Sequence, residues 1–134
     1  MSLRYKARVN LGIMSVDLNN IEDSYRIIVS EDGSVPSYTM YGPHQPVDVL
    51  RKISDKYLKV DPEWLDIKFL GVTNKKTEKG YELNLDHGVM IQDDIDLKYG
   101  RWITISDYFK SNKNKISHVQ DYQNIIQNMS VIIH

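Results

Sequence analysis

The sequence has no cysteine, and this absence excludes a disulfide framework and any metal site with thiolate ligands. It fits a reducing compartment, where disulfides are rare. No apolar run approaches the roughly 18 residues that a membrane-spanning helix needs, and the first residues lack the apolar segment of a signal peptide. We therefore expect no membrane insertion, and a place in the cytoplasm or in a soluble assembly such as a virion.

An excess of charge of one sign is also missing. The chain has 17 Lys and Arg against 18 Asp and Glu, a formal net charge of -1. Such a balance creates no strong global field that would attract nucleic acid or an anionic membrane. Two basic loops, NKKTEK (74–79) and KSNKNK (110–115), could touch phosphate or an RNA backbone, but charge runs of this kind are usually solvated. We therefore expect neither nucleic acid nor a membrane as partner.

The 134 residues fit one domain, 1–134, without repeats, low-complexity tracts or an interior linker. Lys, Asn, Ile, Asp and Tyr are common, a bias that often accompanies AT-rich coding sequences such as those of many phages and low-GC bacteria. The composition thus indicates one compact domain and gives no mechanism.

The N-terminal third predicts three strands. Apolar residues alternate between Arg4 and Val16, which is the period of a strand with one buried face. YRIIVS (25–30) is a short apolar strand, EDGS (31–34) is a glycine turn, and VPSYTMYG (35–42) is a third extended segment.

A helix follows from Pro46, because proline suits the first helical turn. Four apolar residues form its predicted buried face, with Leu58 beside them: Val47, Leu50, Ile53 and Tyr57. Asp61-Pro62 ends the helix, and PEWLD (62–66) predicts a short helical turn.

The remainder predicts a second set of strands and a second long helix. The strands are IKFLGVT (67–73), YELNLDHGVMI (81–91) and RWITI (101–105), with a hairpin-like loop at 74–80. Ser106 is predicted to cap a short helix through Phe109, and an apolar 3,4 spacing predicts a long helix from Ser117, where Ser117 and Gln120 suit a capping box. The order βββ-α-βββ-α indicates an α/β fold of mixed α+β type, an α/β/α sandwich with a mixed sheet and helices on both faces.

The order of these parts resembles the Nudix superfamily. YRIIVSEDGSVPSYTMYGP looks like the strand, turn, strand and glycine loop of that family, and VLRKISDKYLKV lies where its Nudix helix starts. FLGVT, YELNLDHGVMI and GRWITISDYF resemble the later strands and the tryptophan strand that leads to a short helix. The resemblance covers nearly the whole chain and implies a Nudix-like domain.

The family's signature helix is altered here. Its box ends in the pattern R-E-U-x-E-E-x-G-U, where U is aliphatic, and residues 51–59 align with that end. Arg51 and Ile53 match, Asp55 replaces one glutamate by aspartate, and Lys52 and Lys56 replace the other two. Leu58 replaces the glycine, and the spacing from Gly42 to Arg51 is shorter than in the family.

These exchanges bear on chemistry. The resemblance implies hydrolysis of nucleoside diphosphate derivatives with Mg²⁺ or Mn²⁺, and hard cations need several converging carboxylate oxygens. Ammonium groups at two of those positions oppose the metal. Asp48 and Asp55 share a face with Lys52 between them, which favours an ion-pair ladder over a metal site. We therefore expect no cofactor and a former active site, or a fold that never carried one.

The alternative is a divergent Nudix hydrolase that uses Mg²⁺ or Mn²⁺. In that hypothesis Asp55 and Asp48 hold one cation, Arg51 orients a carboxylate, and Asp93 or Asp94 is the base. The loop QDDID (92–96) that carries the last two lacks the spacing and glycine of an EF-hand, so we favour a solvated acidic loop.

Two histidines are further candidates. His44 lies in the glycine loop and could contact a ligand phosphate, although a surface loop histidine is the simpler interpretation. Asp86 and His87 could form a general base pair, but strand alternation puts them on opposite faces, and a bulge marked by Gly88 is the favoured interpretation.

Four aromatic residues could stack on a base, although packing in the core or at strand edges explains them as well: Tyr38, Tyr41, Trp64 and Trp102.

The leading hypothesis is therefore a non-catalytic binding or structural module, such as a subunit of a phage or bacterial assembly. Three consecutive apolar residues, Val131, Ile132 and Ile133, cannot all be buried by one helix face. They favour a protein partner or self-association, and a nucleotide is the alternative ligand.

Overall fold

The computed structural model describes residues 5–16, 25–40, 44–78, 80–92, 95–111, 123 and 125–128. Six strands and two helices are bounded there as follows: β1 Tyr5–Val16, β2 Tyr25–Val29, β3 Ser37–Met40, α1 Pro46–Tyr57, β4 Lys68–Thr77, β5 Gly80–Met90, β6 Arg101–Thr104 and α2 Ile105–Ser111. A 3-10 turn, Pro62–Trp64, follows α1. Residues 123 and 125–128 are helical and are called the C-terminal helical segment.

The strands form one mixed sheet in the order β4-β5-β1-β2-β6, and β3 also pairs with β1. The long strand β1 is the centre of this arrangement. It pairs in parallel with β5 from Tyr5 to Met14. On its other edge, β3 pairs antiparallel with the N-terminal half and β2 with the C-terminal end.

Alternation along β1 and β2 divides the core into two clusters on opposite faces of the sheet. The cluster that includes α1 is the α1 core: Val9, Leu11, Ile13, Ile28, Val49, Leu50, Ile53, Tyr57, Leu58 and Val89. The cluster that includes α2 and the C-terminal helical segment is the α2 core: Met14, Ile27, Val29, Val35, Tyr108 and Ile125. Helices therefore cover both faces of a mixed sheet, which confirms the predicted fold class.

Gly12 shows how close the C-terminal helical segment lies to the sheet. A Cβ atom added to Gly12 would overlap Cγ2 of Ile125. Ile125 is fully buried, so it cannot swing aside into solvent. The absent side chain at position 12 lets the helical segment pack directly on β1.

The predicted buried face of α1 needs one correction. Val47 is 56% exposed, whereas Val49 is fully buried beside Leu50, Ile53 and Tyr57. The spacing of Val49, Ile53 and Tyr57 is four residues each time, which keeps them on one side of a helix. Val47 lies at the edge of that side, and its exposure places it on a surface cleft.

Two boundaries also differ. β4 continues to Thr77, so residues 74–77, predicted as loop, lie in the strand. Ser106 lies inside α2 rather than at its cap. The hydroxyl of Thr104 accepts a hydrogen bond from the Asp107 N–H at 3.1 Å instead. The predicted short turn after α1 is confirmed as the 3-10 turn.

The predicted bulge at Gly88 is wrong. Gly88 pairs in register with Gly12 and with Lys68. The register shift lies in the neighbouring strand, between Phe69 and Gly71. Gly71 has φ of 153° and an added Cβ would meet nothing there, so backbone conformation, and not space, favours glycine at the bulge.

In the part of the chain that the structure describes, no helix is long and apolar enough to cross a membrane. Several predictions fall outside the described residues: the roles of Asp93 and Asp94, the aromatic Tyr41, the cap at Ser117 and the apolar run 131–133.

Candidate functional site

Helix α1 presents two different sides. Its buried side enters the α1 core, while Lys52, Asp55 and Lys56 are all exposed. The 100° step between helical residues groups positions 52, 55 and 56 on one surface. These are the three positions that align with the glutamates of the Nudix box.

The two lysines lie over aromatic rings. The Lys52 ammonium lies 5.6 Å from the centroid of the Tyr38 ring. The Lys56 ammonium lies 4.4 Å from the Tyr99 ring centroid and 5.7 Å from that of Tyr57. Distances below about 6 Å give cation–π attraction.

The predicted ion-pair ladder is therefore wrong. Ion pairs in the described part of the chain join Arg51 to Glu63 at 3.9 Å and Lys68 to Asp66 at 3.1 Å, whereas the contact of Lys52 is with the Tyr38 ring. A lysine is attracted to a ring face, and this contact does not immobilise a second flexible charged side chain. A surface ion pair does immobilise one, at a cost in conformational entropy.

Lys56 lines an open polar cleft between the end of α1, the 30–37 loop and Tyr99. The cleft has a volume of about 370 Å³. We call it the lysine cleft, and it is lined by Ser30, Glu31, Asp32, Ser34, Val35, Ser37, Lys56, Tyr57 and Tyr99. Its charged groups are of both signs, with one ammonium and two carboxylates.

One wall of the lysine cleft is a tight hydrogen-bonded turn. The carboxylate of Asp32 accepts from the Ser34 N–H at 3.0 Å, from the Ser34 hydroxyl at 2.6 Å and from the Ser30 hydroxyl. Gly33, with φ of 86°, supplies the left-handed conformation that closes the turn. The carboxylate is thereby committed to the fold of the loop, which limits what it can offer a cation.

The floor of the cleft is a pair of tyrosines. The rings of Tyr57 and Tyr99 meet edge to face, with centroids 5.1 Å apart. Burial, reinforced by Tyr99 and Asp32, raises the pKa of Tyr57 to about 12. The phenol therefore stays protonated near neutral pH and offers a ligand an O–H group.

This donor set does not fit the divalent metal that the resemblance implies. Of the three aligned positions only Asp55 carries a carboxylate, and Lys52 and Lys56 carry ammonium groups on the same surface. Asp48 is also exposed, and among the described residues no group of three or more acidic or histidine side chains converges. Mg²⁺ needs near-octahedral oxygen ligation, and this side of α1 offers the carboxylates of Asp48 and Asp55 with two ammonium groups beside them.

Arg51 lies on a different side of the helix. It pairs with Glu63 beside the 3-10 turn and lines a second cleft of about 340 Å³. We call this the His87 cleft, and it is lined by Val47, Leu50, Arg51, Pro62, Glu63, Leu65, Asp66, Ile67, Phe69 and His87. Its lining is divided almost evenly between polar and apolar surface, and its charged side chains, Arg51, Glu63 and Asp66, are exposed.

His87 is the buried polar group of that cleft. It is 6% exposed; its Nδ1 lies 2.9 Å from the Leu85 carbonyl oxygen, and its ring meets Phe69 edge to face at 5.3 Å. Burial lowers the pKa of His87, while the carbonyl groups of Leu85 and Asn10 act in the opposite direction. In the neutral ring Nδ1 donates to Leu85, so Nε2 is an acceptor.

Asp86 faces the other side of the sheet, as alternation predicted. Its carboxylate accepts from the Asn10 amide at 3.0 Å and from the Thr73 hydroxyl at 3.4 Å. The same amide donates to Asn84 at 2.9 Å. Asn10, Asn84 and Asp86 are each at most 3% exposed. The structure therefore does not bring Asp86 and His87 together as an acid–base pair.

The remaining candidates lie apart from each other. His44 is half-buried just before α1. Trp64 is 82% exposed and Tyr38 is 42% exposed. Trp102 packs against the α1 core, so the core interpretation is confirmed for this tryptophan. Sequence reasoning missed Tyr99. The predicted glycine turn EDGS is confirmed, with Gly33 at φ of 86°, but its place in the wall of a cleft was not predicted.

No protein-family model and no curated protein matches the sequence. Solved structures do match. The Nudix domain of Shewanella oneidensis NrtR complexed with ADP ribose has a TM-score of 0.64 at 8% identity, over 92% of this chain and 87% of that chain. The Escherichia coli dihydroneopterin triphosphate pyrophosphohydrolase matches with a TM-score of 0.63 at 9% identity, over 91% of this chain and 95% of that chain.

A MutT/nudix family protein from Enterococcus faecalis matches with a TM-score of 0.59 at 12% identity, over 78% of this chain and 45% of that one. The chain therefore spans less than half the length of that protein. At identities this low, structural similarity establishes the fold alone. The mixed sheet with helices on both faces is that of the Nudix hydrolases, so this chain has the Nudix fold, as the order of its sequence motifs predicted.

Proposed function

We propose that this chain is a non-catalytic Nudix-fold domain that acts as a binding or structural module. One observation carries the proposal: Lys52 and Lys56 occupy two metal-binding positions of the Nudix helix, and each ammonium lies over an aromatic ring. Positive charge is thus built into the place where the hydrolases of this fold need a metal.

The lysine cleft is the part of the module that a small ligand would enter. It combines serine and tyrosine hydroxyls, the Lys56 ammonium and the ring of Tyr99. These groups suit a ligand with many polar substituents, because hydroxyls and the ammonium group form hydrogen bonds. A Nudix domain was solved with ADP ribose in the Shewanella protein, which makes ADP ribose a reasonable first probe here.

The setting that we propose is an assembly, phage or bacterial, in the cytoplasm or a virion, in which the domain contacts a protein partner. The residue composition supports this setting. No metal cofactor takes part, because the residues of α1 do not supply its ligands.

The test is phosphate release from a panel of nucleoside diphosphate derivatives with Mg²⁺ or Mn²⁺, for the wild type and Asp55→Ala. We expect equal background rates. Titration calorimetry with ADP ribose, with and without Mg²⁺, then checks for metal-independent binding, with Lys56→Gln as the weakened variant. Turnover that Asp55→Ala abolishes would overturn the non-catalytic role and support the hydrolase hypothesis.

A further inference from the structure

We propose that the His87 cleft is a self-association site in which the indole of Trp64 from a second copy of this chain is bound, reciprocally across a two-fold axis. The proposal concerns a surface that the proposed function does not use, since the His87 cleft and the lysine cleft have no lining residue in common.

Trp64 is the first observation. It is 82% exposed, and within the described part of the chain its side chain has no hydrogen bond or ring contact. A tryptophan side chain carries a large apolar area, which is costly to leave in water. Its backbone, in contrast, is fixed, since the Asp61 carboxylate accepts from the Glu63 N–H at 3.0 Å. The indole is therefore presented from a rigid turn, which lowers the entropy cost of binding.

The His87 cleft is the second observation. Its residues Val47 and Phe69 are 56% and 60% exposed, which is unusual for large apolar side chains in one place. Beneath them lies His87, which is only 6% exposed. In the neutral ring its Nδ1 donates to the Leu85 carbonyl oxygen, so its Nε2 is an acceptor. The cleft places the exposed apolar side chains of Val47 and Phe69 beside a buried imidazole, and an indole offers both a flat apolar ring and one N–H donor.

Position in the fold selects a second copy as the occupant. Pro62, Glu63 and Leu65 line the His87 cleft, while Trp64 between them does not. The indole and the cleft are thus neighbours that face different directions. A two-fold axis beside the 3-10 turn places each indole at the partner's cleft, and a two-fold interface needs such a self-complementary patch.

The charges at the mouth agree with this arrangement. Arg51 and Glu63 are paired at 3.9 Å with side chains 58% and 72% exposed, so the pair is loose and solvated. In the proposed dimer the Arg51 of one copy is expected to approach Glu63 of the other, while Asp66 keeps its ion pair with Lys68 at 3.1 Å. Both signs are present on each copy, so the patch attracts itself.

Analytical ultracentrifugation of the full chain over a range of concentrations tests the proposal. The wild type is expected to dimerise reversibly. Trp64→Ala is expected to weaken dimerisation roughly 30-fold or more, as expected for a tryptophan that fills a pocket. Val47→Glu, which puts a charge in the cleft, is expected to weaken it similarly. Val72→Thr, an exposed apolar position on β4 outside the cleft, is the matched control and should dimerise as the wild type does.

Mixing the two defective variants gives the sharpest outcome. A mixed dimer of Trp64→Ala and Val47→Glu keeps one intact indole and one intact cleft in contact, so the mixture should associate more tightly than either variant alone. An unspecific apolar contact shows no such rescue. Failure of rescue, a monomeric wild type at every concentration, or a Trp64→Ala protein that dimerises normally would each overturn the proposal.

Fluorescence provides a second readout. The chain has two tryptophans, so in a Trp102→Phe background Trp64 is the only one. Its emission should shift to shorter wavelength as concentration rises. The difference between the emission spectra of the wild type and Trp64→Phe isolates the emission of Trp64 without a substitution at Trp102 in the core. If the protein dimerises and the emission of Trp64 remains that of an exposed indole, Trp64 is not bound in the His87 cleft and the dimer uses another interface.

Discussion

The ammonium of Lys56 lies 4.4 Å from the centroid of the Tyr99 ring, and this contact joins the end of the Nudix helix to the loop before β6. The hydrolases of this fold use the aligned glutamate to hold a metal, as the resemblance implies. In this chain the same position holds a cation of its own. The lysine cleft is therefore lined by a positive charge that belongs to the chain itself.

The Lys56–Tyr99 contact should be measurable in a double-mutant cycle. Lys56→Met and Tyr99→Leu each remove the cation–π attraction, worth about 0.5–1 kcal/mol at an exposed site. We expect the double variant to lose less free energy of unfolding than the sum of the single losses. Urea denaturation measures the three losses, with Lys76→Met as the control for an exposed lysine on β4. Strict additivity would show that the two side chains do not interact.

Restoring carboxylates should restore cation binding. In Lys52→Glu/Lys56→Glu the two new carboxylates join Asp55, so that all three aligned positions are acidic. Reversal of two charges near an ion changes the interaction energy by several kcal/mol at an effective dielectric of about 20, before desolvation is counted. We therefore expect Mn²⁺ to bind to the double variant at least roughly tenfold more tightly than to the wild type. Calorimetry measures this, and Lys59→Glu/Lys76→Glu controls for net charge. Equal affinity in both double variants would mean that positions 52 and 56 are not special.

Gly12 and Ile125 should behave as a coupled pair. Gly12→Ala forces a methyl group into Cγ2 of Ile125, and overpacking of this kind costs about 1–3 kcal/mol. Ile125→Ala alone leaves a cavity, which costs about 2–5 kcal/mol. The double variant should cost less than the sum, because each change makes room for the other. Thermal and chemical denaturation give the values, and a cost equal to or above the sum would contradict the close packing.

His87 should make stability depend on pH. Burial lowers the pKa of His87 in the folded protein below its ordinary value of 6.5, so the unfolded chain binds the proton first. The stabilisation is complete above pH 6.5 and is lost as the pH falls from there through the folded pKa. The difference between wild type and His87→Gln should shrink or reverse over that range.

The comparison of the two proteins isolates the contribution of position 87, because every other titratable group is present in both. Chemical denaturation of both proteins at several pH values between about 5 and 8 isolates the histidine. A constant difference across this range would show that His87 does not change its protonation there.

The fold could be predicted from sequence because its signals are local. The alternation in β1 and the spacing of Leu50, Ile53 and Tyr57 follow directly from the strand and helix periods. Val47 was misplaced, since an apolar residue in the first turn also suits a surface cleft. The position of the bulge depends on how β4 pairs with β5, which are separate segments of the chain. The glycine at position 88 therefore does not reveal that the bulge lies in β4.

The candidate site was only partly accessible from sequence. The charge reversal at Lys52 and Lys56 is visible in the aligned box. Their ring partners are not, because Tyr38 and Tyr99 are brought to α1 by the sheet and by a distant loop. The ion-pair ladder was predicted from helix spacing alone, and tertiary contacts with aromatic rings replaced it.

The parallel pairing of β1 with β5 has a consequence for how the chain reaches this structure. Tyr5 pairs with Tyr81, so the partners are 76 positions apart in the sequence. Such distant contacts raise the contact order and slow folding. On the ribosome, β1 must wait until β5 has emerged before its longest edge is covered. Until then this edge of β1 is a row of unpaired backbone N–H and C=O groups, which other strands can pair with.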